Sequence, residues 1–81
     1  MRIDRVILDV VEHSTMTGEQ VSAALGKSRA FVSVAGGKGR SPRLDTVADV
    51  ADVCGVDVVL IDRETGEKIG AIEPPRRGQN T

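Results

Sequence analysis

The chain has 81 residues, of which 40% are hydrophobic and 28% charged, and its formal net charge is -1. This length predicts one domain with a modest core, and the single cysteine, Cys54, excludes an internal disulfide and with it a disulfide-stapled secreted domain. No apolar run approaches the roughly 20 residues that span a bilayer, and acidic side chains interrupt the N-terminal segment where a signal peptide would be apolar. We therefore expect a soluble, cytoplasmic protein without a membrane partner.

The first part of the chain predicts two helices. Apolar residues recur at helical spacing and predict a helix over 3–13. Thr17 and Gln20 have the spacing of a capping box, in which each side chain bonds the backbone N–H of the other residue. This pattern predicts a second helix over 17–25.

A very short connection follows the second helix. Gly26 suits the left-handed position at which many helices end. Only Lys27 separates it from Ser28, which has the character of a helix cap and predicts a third helix over 28–35. Two helices joined by so short a glycine-containing turn are typical of a helix-turn-helix.

The next segment predicts a fourth helix over 43–54. Ser41 and Pro42 form a start signal, a capping residue followed by proline in the first turn. Cys54 falls on the apolar stripe of this helix, and Gly55 closes it. The four predicted helices indicate a mostly α fold class.

The remaining chain predicts a C-terminal β-hairpin, with strands over 56–61 and 67–72. The first strand is apolar on both faces, so one face should rest on the helices while the other is covered, for example by a second copy of the chain. The residues expected at such a dimer interface are Val59, Ile61 and Ile69. Residues 1–72 then form a single domain, and 73–81 has little to bury and predicts a disordered tail.

Charge is distributed unevenly along the chain. Five cations lie between 24 and 47, namely Lys27, Arg29, Lys38, Arg40 and Arg43, and the same stretch has no acid before Asp45. Acids dominate the segment that follows. A helix presented by a tight turn and flanked by cations fits the DNA major groove, which is about 12 Å wide, and the cations can neutralise phosphates.

Residues 17–58 resemble the helix-turn-helix domain of phage repressors, Cro and xenobiotic-response-type bacterial regulators. The resemblance rests on Val21, Leu25-Gly26, Ser28, Val32-Ser33, Ser41-Pro42, Leu44-Asp45-Thr46-Val47, Ala51 and Gly55-Val56. It covers about half of the chain. The chain departs from the family pattern at Gly18, where the family usually has Gln, at Ser22, where it has Ala, and at Gly36, where it commonly has an acid.

The resemblance implies a four-helix repressor-like domain that binds double-stranded DNA, as a nucleoid-associated transcriptional regulator. It implies base contacts by Arg29, Ala30, Ser33 and Val34, and phosphate contacts by Ser28, Lys27, Lys38, Arg40 and Arg43. Arg29 can donate two hydrogen bonds to guanine, and Val34 can touch a thymine methyl group. A homodimer would bind a pseudo-palindromic operator.

The alternatives to DNA binding are a protein-interaction module and an enzyme. The chain could be a protein-interaction module, an antitoxin or a phage-encoded inhibitor, that uses its hairpin and tail, with DNA binding secondary. An enzyme is not expected, because the sequence has no Cys–His pair, no metal-ligand cluster and no acid–base pair placed by a motif. We expect no catalytic residue, no metal and no cofactor; the Gly36–Ser41 loop lacks the Gly-Lys-Ser/Thr order of a phosphate-binding P-loop.

Overall fold

The structure is a computed structural model that describes residues 1–75. Four α-helices are followed by an antiparallel hairpin, which confirms the mostly α fold class with a C-terminal hairpin. After a 3-10 turn at Ile3–Arg5, the elements are α1 (Val6–His13), α2 (Gly18–Ala24), α3 (Phe31–Ala35), α4 (Leu44–Cys54), β1 (Val58–Ile61) and β2 (Lys68–Ile72).

A small aliphatic core holds the helices together. Each α-helix contributes apolar side chains to it, and its buried members are Ile7, Val11, Val21, Val32, Val47 and Val50. Burying one such side chain stabilises the fold by about 1.5–3 kcal/mol. Because α2 and α3 are only seven and five residues long, their stability depends on this packing rather than on helix propensity.

The predicted capping box and turn are both present around α2. The Thr17 N–H donates to Gln20 Oε1 at 2.8 Å, and the Gln20 N–H donates to Thr17 Oγ1 at 3.1 Å. At the other end, Gly26 has a φ of 70°, and the Lys27 N–H donates to the Ser22 carbonyl at 2.9 Å. This Schellman arrangement reverses the chain between α2 and α3.

One predicted helix start is wrong, and the predicted cap of another helix is not used. The third helix begins at Phe31 rather than at Ser28, because residues 28–30 form a separate tight turn in which the Phe31 N–H donates to the Ser28 carbonyl at 3.0 Å. The fourth helix begins at Leu44, and its N-cap residue, Arg43, has extended backbone and supplies no side-chain cap. Ser41 and Pro42 therefore belong to the connection between α3 and α4.

The hairpin is shorter than predicted and irregular on one side. Val58 pairs with Ile72 and Leu60 with Gly70, but Ile61 pairs with Lys68, so Ile69 is an extra residue in β2. The hairpin packs on the helices through a contact between β1 and α4.

The predicted tail, 73–81 with little to bury, includes one residue that packs on the fold, since Pro74 is buried. Pro74 lies with Ala48, Ala51 and Val56 in the groove between α4 and the hairpin, so the chain continues to pack against the helices beyond β2. The rest of the predicted tail, 76–81, lies outside the described residues. None of the helices found in 1–75 has the length and apolar character that crossing a lipid bilayer requires.

Candidate nucleic-acid interface

A buried serine fixes the position of α3 against α2. Ser22 is fully buried, and its Oγ donates to the Gly18 carbonyl at 2.8 Å while it accepts from the Val32 N–H at 3.2 Å. Val32 lies in the first turn of α3, where backbone N–H groups have no partner within the helix. Because Ala30, the N-cap residue of α3, provides no side-chain cap, Ser22 supplies that missing acceptor from the neighbouring helix.

The four residues expected to contact bases all lie at the surface. Arg29 and Ala30 are exposed in the turn before α3, and Ser33 and Val34 are exposed on α3 itself. The Arg29 side chain is 85% exposed and Val34 is 53% exposed. An exposed valine next to exposed polar groups forms a mixed surface on the side of α3 opposite the buried Val32.

An open groove runs along one side of this surface. Its lining comes from the start of α2 and from the α3 segment, namely Thr17, Gly18, Glu19, Arg29, Ala30 and Ser33. Arg29 is paired across the groove with Glu19, with 3.1 Å between Arg29 Nη2 and Glu19 Oε1. Gly18 lets the two elements approach closely, since a Cβ there would lie 3.3 Å from Val32 Cγ1.

A second groove on the other side of α3 carries more positive charge. It is lined by Phe31, Ala35, Arg40, Ser41, Pro42, Arg43 and Thr46. Lys27 Nζ lies 5.8 Å from the centroid of the Phe31 ring, a distance at which a cation and an aromatic face attract each other. Arg43 Nη2 lies 3.0 Å from Asp45 Oδ2, and both side chains are accessible, so solvent screens this pair.

Lys38 lies at the third side of the surface, near the N-terminus of the chain. It shares a groove with Arg2, Asp4, Arg5, Leu8 and Gly36. The Gly39 N–H donates to Asp4 Oδ2 at 3.4 Å, which ties the basic loop to the 3-10 turn. Arg2 Nε lies 3.4 Å from Asp4 Oδ1, so a third acid and a further arginine adjoin the predicted cations.

Gly36 allows α1 and the end of α3 to touch. It is buried, and a Cβ at this position would lie 3.0 Å from Leu8 Cγ and 3.0 Å from the Val32 carbonyl oxygen. A longer side chain, including the acid common in the resembling family, would have to displace Leu8. The departure at Gly36 is therefore explained by packing.

The sequence-predicted cations thus surround α3. Lys27, Arg40 and Arg43 lie on one side, Arg29 on the other, and Lys38 at the C-terminal end of the helix. Ser28, predicted to bind a phosphate at a helix N-terminus, instead lies three residues before α3 and keeps only an exposed hydroxyl.

Sequence reasoning missed two residues of this surface and the buried serine that positions α3. Glu19 precedes the basic stretch in the sequence, but it pairs with Arg29 inside the surface. Arg2 adjoins Lys38 although they are far apart in sequence. One feature of the sequence indicates the role of Ser22, because it is a polar residue at a position of the helical pattern that faces the core.

Within 1–75 no group of three or more His, Cys, Asp or Glu side chains is placed to hold a metal ion. Comparisons of the chain with protein-family models, with curated proteins and with solved structures found no match.

Proposed function

We propose that the protein is a sequence-specific regulator that binds double-stranded DNA with the 28–35 segment in the major groove. The observation that carries this proposal is the exposed side of α3, with basic side chains along one flank and at its C-terminal end. A single helix fits the major groove, and these cations would meet the phosphate backbones that border it.

Base readout would come from the exposed residues on and just before α3. Arg29 can donate two hydrogen bonds to the O6 and N7 of guanine, and Val34 can pack on a thymine methyl group. Ala30 and Ser33 have short side chains that let the helix approach the base edges. Arg40, Arg43, Lys27 and Lys38 would neutralise phosphates, which supplies affinity without sequence preference.

The proposal includes a homodimer on a pseudo-palindromic operator. A single α3 reads only a few base pairs, and two copies related by a two-fold axis would read two half-sites about 34 Å apart. The exposed apolar hairpin is the surface available for that contact.

Binding to duplexes at rising salt tests the proposal and the residue roles together. A preferred duplex is first selected from a random pool, and binding is then measured by fluorescence anisotropy at several salt concentrations. Loss of one phosphate contact in Arg40→Ala should make the slope of log K against log salt less negative by about 0.9. Arg29→Ala should reduce discrimination at one base pair, by about 1–3 kcal/mol, with little change in slope.

Lys68→Ala is the matched control, because it removes a cation from β2, away from both grooves beside α3. It should leave slope and base preference unchanged. Failure of every duplex to bind in dilute buffer would contradict DNA binding, and equal effects of all three substitutions would contradict the assigned roles.

One observation favours a second candidate function, a protein-interaction module of the antitoxin or inhibitor kind. Apolar side chains of the hairpin, among them Leu60 and Ile69, are exposed. If a protein partner covers them, Ile69→Lys should abolish its binding while the selected duplex still binds. The tail that this hypothesis also invokes lies mostly outside the described residues.

A further inference from the structure

The hairpin leaves apolar side chains and a strand edge uncovered. Val59, Leu60, Ile61 and Ile69 are 37%, 54%, 58% and 72% exposed. In the part of the chain that the structure describes, the sheet has only two strands. A two-stranded sheet is marginally stable, and three or more strands with an apolar face are usually required.

The two outer edges of the hairpin differ in how easily they could accept another strand. β2 carries the extra residue Ile69, together with Lys68 and Gly70. A bulge, a lysine and a glycine all disfavour pairing at an edge. β1 is an uninterrupted Val-Val-Leu-Ile strand, and such an exposed apolar edge is a template for another strand.

Two residues of β1 also have backbone hydrogen-bonding groups that point away from β2. The Asp62 N–H donates across the hairpin to the Glu67 carbonyl at 2.8 Å. Backbone groups of successive strand residues alternate in direction, so those of Val59 and Ile61 face away from β2. They are available to a strand that approaches the free edge.

We propose that the occupant of this edge is β1 of a second copy of the chain. The two β1 strands would run antiparallel about a two-fold axis at Leu60 and join the hairpins into one four-stranded sheet. This inference specifies the homodimer of the proposed function, but it does not depend on DNA contact.

Charge and side-chain direction select this register. With Leu60 opposite Leu60, Val59 faces Ile61 of the second copy, and both lie on the same side of the sheet. Asp57 then faces Arg63 of the second copy, and symmetry creates this opposite-charge pair twice. Opposite charges at directly facing positions stabilise a sheet, and both residues are exposed in the single chain.

Neighbouring registers are less favourable. A shift of two residues in one direction places Asp57 against Ile61, and in the other direction it places Leu60 against Asp62. A shift of one residue turns the side chains of the second copy to the other face of the sheet. The register centred on Leu60 also places Val58 opposite Asp62, but of these registers it alone pairs Asp57 with Arg63.

Disulfide trapping tests the position of the axis. In a Cys54→Ala background, Leu60→Cys places two thiols directly opposite each other at a non-hydrogen-bonded pair, where the Cα atoms are about 4.5 Å apart, within the range of a disulfide. Mild oxidation should produce a covalent dimer. Ile69→Cys in the same background is the control on β2 and should remain mostly monomeric.

Charge exchange tests the register, without DNA, by sedimentation equilibrium of the full chain. Asp57→Arg and Arg63→Asp should each weaken dimerisation at least tenfold, and the double variant should recover it. Circular dichroism shows whether each variant keeps its fold. If one variant does not fold, the disulfide-trapping experiment still tests the inference.

A chain that stays monomeric at all accessible concentrations would overturn the inference, as would equal trapping at both cysteine positions or no recovery in the double variant. None of these results would bear on DNA binding, because a monomer can still bind one half-site.

Discussion

Arg29 has two competing partners, Glu19 in the free protein and a base in the proposed complex. The side chains of Arg29 and Glu19 are 85% and 65% exposed, and an ion pair so accessible to water contributes only about 0–1 kcal/mol. A bidentate contact between arginine and guanine is worth about 1–3 kcal/mol in discrimination. In the proposed complex the exchange of Glu19 for guanine would therefore be favourable, and the ion pair would not prevent Arg29 from binding a base.

The first prediction at this scale concerns Glu19→Gln. Removing this carboxylate frees Arg29 and takes a negative charge away from the approaching phosphates, an effect of about 1 kcal/mol at a few ångströms in water. Affinity for the selected duplex should therefore rise about fivefold at low salt, measured by anisotropy. Glu64→Gln, in the hairpin turn, is the control with the same change of charge and should have little effect. A loss of affinity in Glu19→Gln would mean that Glu19 itself accepts a hydrogen bond from a base.

The second prediction concerns Ser22→Ala. The substitution leaves the buried Val32 N–H without an acceptor, which costs about 1–3 kcal/mol. The free energy of unfolding in urea should fall by this amount. Ser33→Ala, which removes an exposed hydroxyl from the neighbouring helix, should have almost no effect. Equal stability of the two variants would show that water replaces the Ser22 hydroxyl.

At the scale of elements, the features that depend only on residues close together in the sequence could be predicted. The capping box of Thr17 and Gln20 and the turn at Gly26 depend only on nearby backbone, and both were found where the sequence placed them. The start of α3 was not predicted, because its first turn is satisfied by Ser22 on another helix. A local pattern contains no information about such a partner.

In the candidate site, too, some features follow from the local sequence and others depend on how the elements pack. The exposure of Arg29, Ala30, Ser33 and Val34 follows from the helical pattern, in which Val32 faces inward. The Arg29–Glu19 pair and the approach of Arg2 to Lys38 depend on how α2 and the N-terminal turn pack against α3. The close contact of Gly36 with Leu8 likewise becomes visible only when the helices are assembled.

The hairpin turn is held by one carboxylate. Asp62 Oδ1 accepts from the Glu64 N–H at 2.8 Å and from the Thr65 N–H at 3.1 Å. The hydrogen bonds from the Thr65 and Glu64 backbones lower the pKa of Asp62 below its ordinary value. Because protonation removes the negative charge that strengthens both hydrogen bonds, the turn is more stable when Asp62 is charged.

A pH dependence of the hairpin follows. A lowered folded-state pKa gives stability that is complete above the unfolded-state pKa of about 3.9 and is lost as pH falls through the folded-state value. The Glu64 and Thr65 amide resonances should therefore shift together in an NMR titration below pH 4. In Asp62→Asn this shared transition should disappear, whereas Glu64→Gln should retain it. A transition that persists in Asp62→Asn would assign the effect to another acid.

At the scale of the whole molecule, opposite charges occupy different parts of the fold. The formal net charge is only -1, yet the α3 side carries the clustered cations, while α4 carries Asp49 and Asp52 and the hairpin turn carries Asp62 and Glu64. Because the net charge is close to zero, nonspecific attraction to DNA would be limited. The basic surface around α3 would confine that attraction to the side proposed to read bases. Orientation on the duplex would thus be set by charge distribution rather than by total charge.

The last prediction joins the two proposed surfaces. If the hairpin connects two copies, their α3 segments lie at a fixed separation, and the preferred operator should contain two inverted half-sites about 34 Å, or 10–10.5 base pairs, apart. Inserting five base pairs between them turns one half-site to the opposite side of the duplex, so the affinity should fall to that of a single half-site. Val59→Lys, which places a charge in the proposed dimer contact but not in the α3 surface, should bind both duplexes equally and weakly. If the insertion weakens binding of Val59→Lys as much as it weakens the unaltered protein, the two copies do not communicate through the hairpin.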